Sequence, residues 1–133
     1  MKKSFADTFF FLAMLNIRDA THRQAVALSE TYDGVIVTTH WVLVEVADAF
    51  CKPADRNRFV DLLELIEADK RMRVISASKS LFERGTELFA QRKDKSWSLT
   101  DCISFVVMDQ HHIREALTAD HHFSQAGFTL LLA

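Results

Sequence analysis

An alternation of short apolar runs with longer stretches of helical periodicity is the feature that most constrains the fold of this chain. Val35–Val37 is β-branched throughout and lies between Gly34 and a threonine, which predicts a buried strand. Arg56–Ala68 carries apolar residues at helical spacing and predicts an amphipathic helix. Strands separated by helices imply a parallel sheet with helices on both faces. The predicted fold class is therefore α/β.

The same criteria divide the whole chain into five strands and six helices. The predicted strands are Ser4–Asp7, Val35–Val37, Arg73–Ile75, Ala116–Ala119 and Phe128–Leu132, with a loop containing Gly127 between the last two. The predicted helices are Thr8–Leu15, a segment capped by Asp19 or Thr21 that reaches Thr31, one capped by Thr39 that reaches Phe50, Arg56–Ala68 capped by Asp55, one capped by Ser78 that reaches Arg92, and one capped by Thr100 that reaches Gln110. We expect Gly34 to adopt the left-handed conformation that ends the second helix.

Composition limits the class of protein. A length of 133 residues suits one domain, and 49% apolar with 26% charged residues excludes a disordered chain, a collagen and a coiled coil. Cys51 and Cys102 are too few for a disulfide scaffold and indicate a reducing compartment, so we expect a cytoplasmic protein. The sequence contains no signal peptide pattern and no apolar run long enough for a membrane span.

Four carboxylates lie where an ordinary α/β sequence would place apolar residues. Asp7 ends the first predicted strand and Asp120 ends the fourth, while Glu45 interrupts an apolar helical stretch and Asp101 opens the most apolar helix. Acidic residues are seldom buried without a partner, and no lysine or arginine lies within one helical turn of Glu45. In open α/β sheets ligands bind beyond the carboxyl ends of the strands, so all four side chains are predicted to face one cleft there.

Each acid also has a purely structural explanation. Asp7 could be the N-cap of the following helix, and Glu45 could lie on a polar helix face beside Asp48. Asp101 could favour the positive end of its helix, and Asp120 could be a turn residue. One shared cleft explains the four together better than four separate explanations do.

Clustered carboxylates point to hard divalent cations. Like charges raise one another's pKa, and Mg²⁺ or Mn²⁺ bound to the carboxylate oxygens relieves that repulsion. An acidic cleft that holds one or two such ions is suited to the hydrolysis of phosphodiesters, because a bound ion lowers the pKa of the attacking water. The predicted metal-binding and catalytic residues are Asp7, Glu45, Asp101 and Asp120.

The charge balance agrees with a nucleic-acid substrate. The chain has 16 basic and 18 acidic residues, and without the four acids the rest carries 14 acidic residues against the same 16. The candidates for phosphate contact are Arg18, Arg23, Lys52, Arg56, Arg58, Arg92, Lys93 and Lys95, although each of them taken singly is as readily explained as a solvated surface charge.

The order and spacing of these motifs resemble a known family, the PIN-domain ribonucleases, and within it the VapC toxins of bacterial toxin–antitoxin pairs. The resemblance covers essentially the whole chain. The motifs that carry it are Phe5-Ala6-Asp7-Thr8, the embedded Glu45, Ser98-Leu99-Thr100-Asp101, and Leu117-Thr118-Ala119-Asp120-His121-His122-Phe123.

The resemblance implies a fold and an activity. It implies a single PIN domain over residues 1–133, with three layers and a central parallel five-stranded sheet flanked by helices. It implies a Mg²⁺- or Mn²⁺-dependent endoribonuclease with RNA as substrate, and homodimers and a cognate antitoxin protein as partners. Thr8, Thr100 and Thr118 match positions whose hydroxyls support the acids, and His122 stands where many relatives have another acid. That departure could weaken a second metal site or supply a general acid, or His122 could be an ordinary loop histidine.

Three other functions compete with the nuclease. A phosphoryl transferase of the haloacid-dehalogenase type needs a second aspartate two residues after Asp7, where this chain has Phe9. A zinc site is disfavoured because the adjacent pairs His111–His112 and His121–His122 lack the usual ligand spacing. A catalytically silent PIN-fold module for binding or assembly remains the alternative to the nuclease.

Overall fold

The computed structural model describes residues 2–132 and contains a five-stranded sheet in which every neighbouring pair of strands is parallel. The strand order is β3-β2-β1-β4-β5. The strands are β1 (Lys3–Ala6), β2 (Val35–Thr39), β3 (Met72–Ile75), β4 (Glu115–Leu117) and β5 (Thr129–Leu130). This confirms the α/β class and the five parallel strands predicted from the sequence.

In residues 2–132, seven helices connect the strands. They are α1 (Thr8–Leu15), α2 (His22–Thr31), α3 (His40–Ala49), α4 (Arg56–Ala68), α5 (Lys79–Gln91), α6 (Leu99–Gln110) and α7 (His121–Gln125). α1 packs against α2 and α3, and α3 packs against α4, while α6 packs against α5 and α7 in a second group. The order of the strands runs to one side of β1 for β2 and β3 and to the other side for β4 and β5. Because parallel crossovers are right-handed, this change of side puts the two groups of helices on opposite faces of the sheet. The result is three layers, as expected.

β1 lies at the centre of the sheet and is paired on both sides. Phe5 is opposite Val37 of β2 and opposite Ala116 of β4, and it is completely buried. Its ring stacks on Phe123 of α7, whose own ring meets Phe105 of α6 edge-on at 4.9 Å between centroids. These aromatic contacts fix α6 and α7 against the sheet, and both helices begin at its carboxyl edge.

Three local predictions are wrong, each for a local reason. Gly34 is not left-handed, since Gly127 is the glycine with positive φ in residues 2–132. A Cβ on Gly34 would lie 2.4 Å from the carbonyl oxygen of Lys2, so close approach of the β1 backbone explains the glycine. α6 is capped by Ser98 rather than Thr100. The segment after Asp120 is a short helix, α7, where a loop was predicted.

The remaining caps divide into two groups. Thr39 and Ser78 cap α3 and α5 by accepting hydrogen bonds from Val42 N and Leu81 N. Asp55 and Thr21 stand at the N-cap positions of α4 and α2, but neither makes a side-chain cap hydrogen bond. Asp19, the other predicted cap of α2, accepts a hydrogen bond from Thr21 N at 2.9 Å. In the described part of the chain, no helix is both long and apolar enough to cross a membrane.

Candidate functional site

A cavity of about 310 Å³ opens beyond the carboxyl ends of β1 and β4, where the strand order reverses direction. Ligands of open α/β sheets bind at this kind of switch point. The cavity is lined by Asp7, Thr8, Phe9, Leu12, Val42, Glu45, Ser96, Ser98, Thr100, Asp101, Ser104, Asp120 and His122. All four predicted acids are therefore on its wall, together with Thr8, Thr100 and His122.

Asp7 is the most buried of the four acids, with 5% of its surface exposed. It is the N-cap of α1 and accepts a hydrogen bond from Phe10 N at 3.3 Å. Burial, with smaller contributions from the negative charges of Asp120 and Asp101, raises the pKa of Asp7 to about 8 against the opposing hydrogen bonds from Phe10 N and Thr118. The structural explanation as a helix cap is thus correct, yet it does not account for a carboxyl group buried among other acids.

Thr118 connects the ends of the two central strands. It is fully buried, and its hydroxyl donates to Asp7 Oδ2 at 3.0 Å and accepts from Asp120 N at 3.0 Å. Asp120 in turn is the N-cap of α7 and accepts from His122 N at 2.9 Å. One hydroxyl therefore fixes the position of two acids, although Thr118 itself lies behind the cavity wall.

Asp101 belongs to the first turn of α6, where it completes a capping box with Ser98. Ser98 N donates to Asp101 Oδ2 at 3.1 Å, and Ser98 Oγ accepts from Asp101 N at 3.0 Å. Burial raises the pKa of Asp101, and the charge of Asp120 adds to the effect. Nδ1 of His122 lies 3.0 Å from the same Oδ2, which works in the opposite direction.

Glu45 reaches the cavity from α3, on the other group of helices. Thr8 Oγ1 donates a hydrogen bond to Glu45 Oε1 and joins α1 to α3. Thr8 follows Asp7 directly, so neighbouring residues at the start of α1 contribute one acid and orient another. Thr100 also lines the cavity, and its carbonyl accepts from Ser104 Oγ at 2.9 Å.

In the part of the chain that the structure describes, the four acids have no lysine or arginine as an ion-pair partner. No lysine or arginine forms an ion pair with Asp7, Glu45, Asp101 or Asp120 among residues 2–132. Their polar partners are hydroxyls, backbone N–H groups and the imidazoles of His121 and His122. Carboxylates left in this state are suited to a divalent cation with oxygen ligands.

His121 and His122 lie beside the acids, whereas His111 and His112 lie at the far end of α6. Asp120, His121 and His122 have ligand atoms within 4.8 Å of one another, so the histidines could contribute nitrogen to the cation site. His122 lies on α7 in contact with two acids and is not an ordinary loop histidine. His111 and His112 follow the last residue of α6, a helix length of roughly 15 Å from Asp101.

Burial raises the pKa of the Cys102 thiol to about 11, which keeps that thiol protonated.

Sequence reasoning missed three serines of the cavity wall, Ser96, Ser98 and Ser104. Ser104 was detectable, because it stands three residues after Asp101 in an otherwise apolar helix and so shares its face. The contact between His122 and Asp101 was not detectable, since it depends on α7 beginning where a loop was expected.

Comparison with known proteins gives a consistent result. The family model described as PIN domain matches residues 4–129. The "23S rRNA-specific endonuclease VapC20" of Mycobacterium tuberculosis, strains CDC 1551 / Oshkosh and ATCC 25618 / H37Rv, is 30% identical over 124 residues, which are 93% of this chain and 94% of that protein.

Solved structures agree with this match. The crystal structure of Mycobacterium tuberculosis VapC20, described as a Sarcin-Ricin loop cleaving toxin, superposes with a TM-score of 0.88 at 27% identity and covers 99% of this chain and all of that one (100%). VapBC2 from Rickettsia felis, bound to a DNA fragment from its promoter, has a TM-score of 0.68 at 14% identity, covers 97% of each chain, and supports the fold alone. The chain belongs to the PIN domain family.

Proposed function

We propose that this chain is a Mg²⁺- or Mn²⁺-dependent endoribonuclease that hydrolyses RNA phosphodiester bonds. The observation that carries the proposal is a single cavity lined by Asp7, Glu45, Asp101 and Asp120, with no lysine or arginine paired to any of them in residues 2–132. We also propose that residues 1–133 form a single PIN domain, since one continuous sheet includes strands from Lys3 to Leu130.

The donor set fits a hard divalent cation. The four carboxylates would hold it. The raised pKa values of Asp7 and Asp101 show that their charged forms are disfavoured by burial and by neighbouring acids, and a bound cation would relieve this. When bound, Mg²⁺ or Mn²⁺ lowers the pKa of the attacking water and stabilises the negative charge that develops on the phosphate. The sequence-predicted roles of the four acids thus remain our proposal for the catalytic and metal-binding residues.

The chain's own contribution is to orient these acids before substrate arrives. Thr118 and Phe10 N fix the two oxygens of Asp7, Thr8 fixes Glu45, and Ser98 fixes Asp101. Such orientation matters because a catalytic site that is arranged in advance does not have to reorganise during the reaction. We assign His122 the role of a positioning residue that holds Asp101, through the contact at 3.0 Å.

RNA is the substrate that we propose because the relative with 30% identity over 93% of this chain is named as a 23S rRNA-specific endonuclease. The proposal extends to a toxin of a toxin–antitoxin pair, because the similar crystal structure is described as a toxin that cleaves the Sarcin-Ricin loop. A homodimer and a cognate antitoxin protein are the partners we propose on the resemblance to VapC toxins. Light scattering of the purified chain tests the dimer, and co-expression with the product of any small adjacent reading frame tests the antitoxin.

The experiment that tests the nuclease is cleavage of total cellular RNA by the purified chain. Three reactions are compared: with Mn²⁺, with EDTA, and with Asp7→Asn in Mn²⁺. We expect cuts in the first reaction alone, and the sequences of the cut ends then identify the RNA. Cleavage that persists in EDTA or in Asp7→Asn contradicts the proposal.

The alternative function is a PIN-fold module that binds or assembles without catalysis. It predicts no cleavage in any reaction and no binding of Mn²⁺ by calorimetry. Absence of cleavage together with tight Mn²⁺ binding contradicts the alternative and points to a narrow RNA specificity.

A further inference from the structure

A second cavity of about 390 Å³ adjoins the acidic one, and Ser96 lines both. It lies where α5 ends and the loop to α6 begins. Its wall consists of Phe89, Arg92, Lys93, Lys95, Ser96, Trp97 and Cys102. We call it the basic cavity, because three of its seven residues are cationic and none is acidic.

The cations of the basic cavity differ in how they are held. The Arg92 guanidinium is already occupied by contacts within the chain, since Nε and Nη2 each donate to Asp94 at 3.0 Å and the group lies over the Trp97 ring. Lys95 is only loosely associated with Asp94, at 4.0 Å, and Lys93 is exposed without an ion pair among the described residues. Lys93 can therefore bind an anion directly, and Lys95 can do so by giving up its long contact with Asp94. The hydrogen bonds of Arg92 to Asp94 maintain the shape of the loop that carries both lysines.

Two aromatic side chains line the basic cavity, and one of them, Trp97, is buried while the other, Phe89, is exposed. Trp97 is 6% exposed, packs edge-on against Phe105, and donates from Nε1 to Gln125 Oε1 at 3.0 Å. Phe89 is 50% exposed and is not part of the buried core. An exposed ring beside lysines is the combination that binds single-stranded nucleic acid, in which bases stack on aromatic side chains while cations contact the phosphates.

Without a bound cation, the carboxylates of the acidic cavity repel phosphates. Affinity for the RNA on either side of the reacting phosphate therefore depends on cations beside the cavity. The basic cavity meets that need because it borders the acidic one, with Ser96 on the wall of both.

We infer that the basic cavity binds the single-stranded RNA segment next to the phosphodiester in the acidic cavity. Lys93 and Lys95 contact its phosphates, and one base stacks on Phe89. The inference rests on the proposed nuclease function and deepens it, by identifying where the substrate outside the reacting phosphate is held. Single-stranded RNA suits the site because its bases are free to stack on protein side chains, whereas those of a duplex are not.

The test is binding of a fluorescein-labelled 12-nucleotide single-stranded RNA of mixed sequence to the full chain in EDTA. Without metal the RNA stays intact, so affinity is measured separately from cleavage. We expect Phe89→Ala to weaken binding about 10-fold, the range expected when one base no longer stacks. The double variant Lys93→Gln/Lys95→Gln should lower the slope of log affinity against log salt by about 0.7 for each phosphate that a lysine no longer neutralises.

α5 provides matched controls at its other end. Phe82 is 48% exposed, nearly equal to Phe89, and Lys79 is a second exposed lysine. Phe82→Ala and Lys79→Gln should leave RNA affinity and its salt slope unchanged. The variants alter exposed side chains, except at the half-buried Lys95, and equal melting temperatures confirm that each is folded.

The outcomes separate this inference from the nuclease proposal. If Phe89→Ala and the lysine variant bind RNA as tightly as wild type, the inference is overturned even when wild type cleaves RNA. If they bind weakly while wild type neither cleaves RNA nor binds Mn²⁺, the inference holds and the nuclease proposal fails. A wild-type chain that binds no RNA, or binds an acidic peptide through the same residues instead, overturns the inference.

Discussion

The two edges of the sheet treat charged side chains in opposite ways. At the amino edge, where the strands begin, acidic groups are paired with cations. The pairs are Lys2–Asp33 at 3.4 Å, Asp69–Arg71 at 2.7 Å and Asp109–Arg114 at 3.6 Å, and Lys3 Nζ also donates to the carbonyl of His111 at 3.0 Å. At the carboxyl edge, the acids bind to hydroxyls, backbone N–H groups and histidines.

The pKa values of two aspartates express this difference. The Arg71 side chain lowers the pKa of Asp69 through hydrogen bonds that outweigh partial burial. Burial raises the pKa of Asp7 to about 8, and no lysine or arginine pairs with it in residues 2–132. Ion pairs at the amino edge therefore stabilise the fold. At the carboxyl edge, buried carboxylates without a lysine or arginine partner cost folding free energy, and a functional site explains why they are present.

The largest expected effect is on RNA cleavage, when aspartate is replaced by asparagine at the carboxyl edge and, in a separate variant, at the amino edge. Asp101→Asn should lower RNA cleavage about 1000-fold, because several kcal/mol of transition-state stabilisation correspond to that ratio. Asparagine keeps an acceptor for Ser98 N, so α6 should remain capped. Asp69→Asn should leave cleavage within about two-fold of wild type. Initial rates at saturating Mn²⁺ measure both.

This pair of variants is informative because each is the control of the other. Equal decreases of cleavage in Asp101→Asn and Asp69→Asn would show that activity follows general stability. Full activity in a folded Asp101→Asn would remove Asp101 from the catalytic residues.

The fold was predictable because its strands and helices follow from local patterns. Val35–Thr39 consists entirely of β-branched residues, and its strand was predicted two residues too short, as Val35–Val37. Arg56–Ala68 has one apolar face and was predicted with the bounds that the structure shows. α7 was missed because it is five residues long and depends on burial of Phe123 against Phe5 and Phe105. Such long-range packing has no signature within a short sequence window.

The four acids of the candidate site could be predicted from the sequence, but the side chains that contact them could not. Acids after β1 and β4 must meet, because adjacent parallel strands end at the same edge. The hydroxyl of Thr118 bridging Asp7 and Asp120, and the contact of His122 with Asp101, require side-chain directions that spacing does not provide. The Arg71 contacts at the amino edge were missed for the same reason.

The next effect concerns the stability that a cation gives to the carboxyl edge. Mn²⁺ at 100 times its dissociation constant should raise the free energy of unfolding by about 2.7 kcal/mol, because it binds the folded state alone. Thermal unfolding across a Mn²⁺ series measures this. Asp7→Asn should abolish the increase, whereas Asp109→Asn at the amino edge should keep it. An increase that survives in Asp7→Asn would place the cation elsewhere.

A smaller effect should come from the amino edge and appear in stability alone. Arg71 donates to the carbonyls of Tyr32 at 2.7 Å and Ser29 at 2.8 Å as well as to Asp69. Arg71→Ala should therefore lower the free energy of unfolding by roughly 2 kcal/mol, the scale of hydrogen bonds from a charged group. Urea denaturation measures the decrease, and cleavage well below the melting temperature should be unchanged.

Arg73→Ala is the matched control for this prediction. Arg73 donates to the carbonyls of Lys70 and Met72 from an exposed position, so its removal should change stability by less than about 0.5 kcal/mol. Equal effects of the two substitutions would contradict the structural role assigned to Arg71.

The smallest effect is the pH dependence that the Asp69–Arg71 pair gives to the fold. The pKa of Asp69 is lower in the folded chain than its ordinary value of 3.8, so the unfolded chain binds the proton more readily. This contribution to stability is present in full at pH values above the ordinary pKa, and it is lost as the pH falls through the pKa of the folded chain. Since the pair is partly exposed, we expect it to be worth less than about 1 kcal/mol. Urea denaturation at pH 7 and pH 3 should show a smaller loss of stability in Asp69→Asn than in wild type, and an equal loss would mean that the pair contributes nothing to folding.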